Sequence, residues 1–192
     1  MGFKVEVGIS NKHVHLTDAD VEALFGAGHK LTIKKPLKMP MFYAAEEQVD
    51  VVGPKGTLKG VRVLGPPRKE SQVELAQTDA RGVGLSLPVR ESGVLDGSPG
   101  VKLIGPAGEI TLSKGAIIAR RHIHLTPDMA KEAGVKDKDI VSVKTSGTRP
   151  IIFGDVLVRV LEANTVAREI HLDTDEGNAA GISNDDLAEI IS

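Results

Sequence analysis

The chain has 192 residues, enough for one domain or two small ones, and at 41% hydrophobic and 26% charged it is an ordinary folded globular protein, neither disordered nor fibrous. The net charge of −2, with no basic run that could track a phosphate backbone, argues against nucleic acid as a partner. The absence of cysteine excludes disulfides, Cys-ligated zinc, iron–sulfur clusters and a thiol nucleophile, so any metal must be held by His, Asp and Glu.

Only 3% of the residues are aromatic, so the core must be built from Val, Ile, Leu and Ala, which favours strands. No segment reaches the about 18 consecutive apolar residues of a membrane helix. The start, Met1-Gly-Phe-Lys-Val-Glu-Val7, lacks the apolar stretch of a secretory leader. The expected compartment is therefore the cytoplasm, with no membrane partner.

In chain order, the apolar run Val5-Glu-Val-Gly-Ile9 predicts a strand that leads into Ser10-Asn-Lys-His13-Val-His15-Leu-Thr17. Thr17 then caps a helix over 18–26, with Asp18 and Asp20 in its first turn. Short Val/Ile/Leu runs follow, separated by the turns Gly53-Pro-Lys-Gly56 and Gly65-Pro-Pro67. Ser, Gly, Asp and Pro cluster over 92–100 and read as a linker. Ala116-Ile-Ile118 leads into Arg121-His122-Ile-His124-Leu-Thr126, with Pro127 at the first position of a second helix over 127–133. A third helix is expected over 184–191. His29 reads as a surface residue, and Met39-Pro-Met41-Phe42 as ordinary core.

The chain repeats itself. The segment Ile9 to Thr17 matches Ile118 to Thr126 at an offset of 109, and Val61-Arg-Val-Leu64 matches Val158-Arg-Val-Leu161 at an offset of 97. Thirteen residues after the first valine of each stand Glu74 and His171, and Gly84-Leu85 lies opposite Gly181-Ile182. Many short strands in a duplicated unit predict a mostly β protein of two small β-barrel domains, residues 1–97 and 98–192, each capped by short helices.

On a strand, side chains at i and i+2 share a face, so His13 and His15 point together, as do His122 and His124. Two adjacent imidazoles make half of a metal site. The duplication supplies a third ligand for each, giving one His13/His15/Glu74 site and one His122/His124/His171 site. Imidazole-rich, sulfur-free ligands favour zinc, with cobalt, nickel and manganese left open. Such ions can act as Lewis acids on a carbonyl or phosphoryl oxygen, or activate water for hydrolysis. Arg68 and Lys69, shortly before Glu74, together with Lys55 and Arg62, predict an anionic substrate. Three readings stay open on the residues alone: a group transferase, a two-zinc phosphatase or esterase, and zinc that only staples the fold.

Ser10-Asn-Lys-His-Val-His-Leu16, Phe42-Tyr-Ala-Ala-Glu-Glu47, Val52-Gly-Pro-Lys-Gly56, Val61-Arg-Val-Leu-Gly-Pro66 with Arg68, and Arg121-His-Ile-His-Leu-Thr-Pro127 closely resemble the PduL-type phosphotransacylases, the phosphate propanoyltransferases. The resemblance covers nearly the whole chain. It implies two β-barrel domains with helical caps, two zinc ions on the six ligands named above, and transfer of a short acyl group between coenzyme A and inorganic phosphate, with acyl phosphate as the other product. It further implies that Arg68 binds phosphate, and that Ile9, Ser10, Asn11, Lys55, Arg62 and Asn178 bind coenzyme A. Family members packed into bacterial microcompartments often carry an N-terminal extension. None precedes the first motif here, so a free cytoplasmic enzyme is expected at least as much as one in a microcompartment lumen. The oligomeric state is left open.

Overall fold

The computed structural model describes residues 2–39, 41–161 and 168–191. In chain order these form β1 (Phe3–Ser10), β2 (His13–His15), α1 (Asp18–Phe25), β3 (Ile33–Pro36), β4 (Tyr43–Gly53), β5 (Gly56–Gly65), β6 (Gln72–Glu74), α2 (Gln77–Gly82), β7 (Val89–Arg90), β8 (Lys102–Ile104), β9 (Glu109–Thr111) and β10 (Ala116–Ala119). They continue with β11 (His122–Leu125), α3 (Pro127–Ala133), β12 (Ile140–Thr145), β13 (Ile152–Val160), β14 (Arg168–Asp173), α4 (Thr174–Ala180) and β15 (Leu187–Ile191). Strand outweighs helix 44% to 15%, as the aliphatic composition predicts.

Two compact units emerge. One joins residues 1–11 to 120–192, the other runs from 12 to 119. The first is a closed barrel in the order β1-β14-β11-β13-β12-β15. The second is a curled half-barrel sheet, β7-β10-β6-β2-β5-β4-β8-β9, with β3 added to β4. Each has its own aliphatic core. Val5, Val7, Ile123, Leu125, Val158 and Ile170 fill the barrel, and Val14, Leu16, Val61, Val63, Val73 and Leu103 lie inside the sheet.

These units differ from the expected 1–97 and 98–192 halves, and the strand pairing gives the reason. The strand leading into each His-x-His motif is built into the other unit: β1 pairs with β14, and β10 pairs with β6. The chain therefore changes units after Asn11 and again after Ala119. A division by sequence order cannot place either crossing.

The duplication itself is plain in three dimensions. Gly8 pairs with His171 where Ile117 pairs with Glu74, at the 109-residue and 97-residue offsets of the repeat. Helices α1 and α3 open alike: the Thr17 hydroxyl accepts from the Asp20 N–H and the Thr126 hydroxyl from the Met129 N–H, each worth about 1 kcal/mol. Helices α2 and α4 also correspond, ending near Gly84 and Gly181, both at positive φ, where Leu85 N–H and Ile182 N–H bond back to Ala80 and Gly177.

Two further expectations fail. Residues 187–191 form strand β15 and no helix. Its acidic lead-in, Asp185-Asp186, mimics a helix start, but Ala188 and Ile190 are buried alternately while β15 pairs on both sides, with β1 and β12. Within Met39-Pro-Met41-Phe42, Met41 is 85% exposed at a φ of 70°, so it is no core residue; Pro40 lies outside the described residues.

Candidate metal centres

The first cluster grows from β2, a three-residue strand that is buried throughout. Val14 faces the core, so His13 and His15 share the opposite face. Strand β6 runs antiparallel beside it, with His13 opposite Glu74, Val14 opposite Val73 and His15 opposite Gln72. Directly opposed residues share a face, which brings the Glu74 carboxylate to the histidines: Oε2 is 3.5 Å from His13 Nε2, and Oε1 is 3.8 Å from His15 Nε2.

His15 Nδ1 donates to the Leu64 carbonyl at 3.3 Å, leaving the Nε2 lone pair facing Glu74. Burial pushes the His15 pKa down to about 3, helped by the positive charges of His13 and Arg68, so the ring is neutral at physiological pH and could act as a metal ligand. Burial alone would raise the pKa of Glu74. The charge and hydrogen bond of His13, with a hydrogen bond from the Ser92 hydroxyl at 2.9 Å, outweigh that and hold the carboxyl well below its usual range. Gln72 Nε2 donates to the same Oε1.

The second cluster repeats this plan on β11, which lies between β13 and β14. His122 stands opposite His171, and His124 opposite Glu169. The three rings lie 4.7–4.9 Å apart, centroid to centroid. His122 Nδ1 donates to the Arg120 carbonyl at 2.9 Å, and its Nε2 faces His124 Nε2 at 3.1 Å. Burial, and then the charges of His122 and His171, push the His124 pKa down to about 2. Among the described residues, the buried Nδ1 of His124 has no hydrogen-bond partner.

Both triads fit a divalent cation. In each, the three donor atoms lie within 4.8 Å of one another. Ligands at about 2.0–2.1 Å from a tetrahedral ion stand about 3.3 Å apart, and the 3.1 Å and 3.5 Å separations bracket that value. Two buried Nε2 lone pairs face to face repel unless a proton or a cation lies between them. Three protein donors also leave a fourth tetrahedral position for substrate or water.

The remaining predicted residues separate into groups. Arg68 comes to the first triad: its guanidinium donates to the Ser92 hydroxyl at 3.3 Å, the same hydroxyl that serves Glu74, and lies 6.0 Å from the centre of the Phe42 ring. Arg62 is in register with His13, and its Nη1 is bonded to the carbonyls of Ala45 and Glu46. Lys69 is exposed. Lys55 sits in the tight turn between β4 and β5, seven residues from Arg62, which is up to about 23 Å along a strand. It is not brought to the first triad.

Ile9, Ser10 and Asn178 gather in the other unit. Ile9 and Ser10 pair with Leu172 and Asp173 at the end of β14, where α4 begins, and the Ile9 side chain packs on Gly177. Asn178 is exposed on α4, and Asn11 is exposed just beyond β1. His29, expected on the surface, is half-buried, stacked on Phe25 and 2.8 Å from Glu47.

Sequence reasoning missed Ser92, Gln72 and Glu169. Ser92 lies in the segment read as linker, and no pattern marked it. Gln72 and Glu169 did carry a signal, because each stands two residues before the third ligand at the 97-residue offset.

The chain is thus a duplicated β frame carrying two largely buried, sulfur-free triads that could each hold a metal ion, with an arginine at one of them. Comparison with known proteins gives the family. The sequence profile of the phosphate propanoyltransferases matches residues 6–183. The chain is 55% identical over 96% of its length to a phosphate propanoyltransferase of Thermotoga maritima, covering 88% of that protein. It is 52% identical over 93% of its length to one of Shewanella putrefaciens, covering 83%, and 49% identical over 99% to one of Lachnoclostridium phytofermentans, covering 88%. The chain belongs to the phosphate propanoyltransferase family. No helix among the described residues is long and apolar enough to cross a membrane.

Proposed function

We propose that this chain is a zinc-dependent phosphate acyltransferase that moves a propionyl or acetyl group reversibly between coenzyme A and inorganic phosphate. The observation that carries this reading is the Glu74–Ser92–Arg68 chain of hydrogen bonds, which puts an anion-binding guanidinium beside a buried three-donor triad. The names of the relatives agree with it.

His13, His15 and Glu74 would hold one zinc, and His122, His124 and His171 the other. Bound zinc supplies Lewis acidity toward the thioester carbonyl or a phosphoryl oxygen, and favours the thiolate of the departing coenzyme. Arg68 pairs bidentately with phosphate, its rotamer held by Ser92 and by the Phe42 face. Phosphate is anionic at neutral pH, so the protein's task is to position it, not to deprotonate it. A phosphate oxygen attacks the thioester carbon, the carbon–sulfur bond breaks, and the sulfur keeps the electron pair. The buried walls of the triads keep water from competing for the acyl group. With no cysteine in the chain, no acyl-thioester forms on a side chain.

Ile9, Ser10, Asn11, Lys55, Arg62 and Asn178 are assigned to coenzyme A on the family resemblance. The enzyme is placed in the cytoplasm or a microcompartment lumen.

Propionyl phosphate with free coenzyme A tests the reaction. Transfer consumes thiol and forms thioester in equal amounts. A two-zinc phosphatase or esterase instead releases phosphate while the thiol stays constant.

A further inference from the structure

Opposite the second histidine of each pair stands a residue outside the two triads: Gln72 against His15, and Glu169 against His124. Gln72 donates an amide hydrogen to the third ligand, Glu74. Glu169 accepts from the third ligand, His171, with 2.8 Å between Oε2 and Nε2. Along β6 the order is amide then carboxylate; along β14 it is carboxylate then imidazole. Each cluster thus contains one carboxylate, as a ligand in the first and as the partner of a ligand in the second.

The neighbouring strand is shaped to admit that carboxylate. Gly8 on β1 pairs with His171, and a Cβ there would come 2.7 Å from Glu169 Cδ and 2.8 Å from its Oε1. Glu169 occupies the space that a side chain on β1 would fill. The equivalent position in the other unit is Ile117, paired with Glu74 and fully buried. The glycine accompanies the carboxylate.

We propose that Glu169, admitted by Gly8, is a positioning residue of the all-histidine cluster, an assignment that rests on reading the two triads as metal sites. Its carboxylate fixes the orientation of the His171 ring and holds a proton on Nε2, which leaves the lone pair on Nδ1 for the cation. It also supplies the negative charge that Glu74 supplies in the first cluster. Three neutral imidazoles around a buried divalent ion leave its full charge uncompensated, and a carboxylate one bond further out offsets part of it.

The test uses the full chain freed of metal and titrated with zinc against a chromophoric chelator, as wild type, Glu169→Gln and Gly8→Ala. Wild type takes up two ions. Glu169→Gln weakens one of them by about 10–100-fold and leaves the other unchanged. Gly8→Ala, which keeps the carboxylate but displaces it, weakens the same ion. In a His15→Ala background, where the all-histidine cluster is left intact, the loss falls on the ion that remains. Two unchanged affinities in Glu169→Gln overturn the inference while the metal reading stands; wild type binding no ion overturns both. If Glu169→Gln does not fold, unchanged affinities in Gly8→Ala overturn it. If His171→Ala keeps the ion that Glu169→Gln loses, Glu169 is itself the ligand, and its positioning role is overturned.

Discussion

His15 and His124 are imidazoles that burial keeps neutral, with pKa values of about 3 and about 2. As pH falls through about 6.5, the unfolded chain takes up a proton on each while the folded chain does not. The metal-free protein therefore has its full stability above that pH and loses it on acidification, at about 1.4 kcal/mol per pH unit for each ring. Thermal melts of the metal-free chain at pH 7.5 and 5.5 should show a Tm lower by several degrees at the acid end, with a smaller drop in His15→Gln. An unchanged Tm would mean that the folded chain takes up as many protons as the unfolded one over this range, contrary to rings that stay neutral. Arg68 belongs at this scale too. Its guanidinium reaches the first triad through Ser92, and Arg68→Ala should lower kcat/KM by about 100-fold or more, the cost of a lost charge-assisted anion contact. Its zinc content should stay at the wild-type value, as measured by elemental analysis. Near-wild-type turnover would remove Arg68 from the phosphate site.

At the scale of elements, strands β3 and β4 are tied to the loop after α1 by one carboxylate. Glu47 on β4 accepts from the Thr32 N–H at 3.0 Å and meets His29 at 2.8 Å. Burial works against its ionisation, but the hydrogen bonds from His29 and Thr32 outweigh it and hold the carboxyl below its usual range. Glu47→Gln should cost about 1.5–3 kcal/mol at pH 7. The difference from wild type should be constant above about pH 5 and shrink as pH falls through the folded pKa, since the stabilisation exists only while the carboxylate is charged. Denaturant melts at pH 7 and pH 3 measure both values. Most elements of this kind were legible beforehand: the Thr17 and Thr126 caps, the Gly53-Pro-Lys-Gly56 turn and both His-x-His strands carry local signatures. Strand β15 did not, because Asp185-Asp186 reads as a helix start and only its pairing with β1 and β12 makes an edge-to-edge strand of 187–191. Ser92 was illegible for a related reason, since its function comes from the fold bringing it to Glu74.

For the whole molecule, the internal repeat was the most informative feature of the sequence. It placed Glu74 and His171 in register with the paired histidines, and the antiparallel pairs β2–β6 and β11–β14 set them directly opposite His13 and His122. It did not reveal that β1 and β10 are each built into the other unit, because strand exchange leaves the local pattern unchanged. Lys55 shows the same limit: charge and turn chemistry were readable, but not its distance from the triad. If both triads hold metal in the folded chain and not in the unfolded one, zinc at about 100 times its Kd should raise the Tm of the metal-free protein by about 10–20 °C. Acyl transfer measured against metal content tests the central claim most directly. Chain stripped of metal, then reconstituted with zero, one and two equivalents of zinc, is given propionyl phosphate and coenzyme A, and thioester is followed by its absorbance. Thioester formation should be absent without zinc and reach its maximum at two equivalents; full transfer by the metal-free chain, or phosphate release with no loss of thiol, would contradict it.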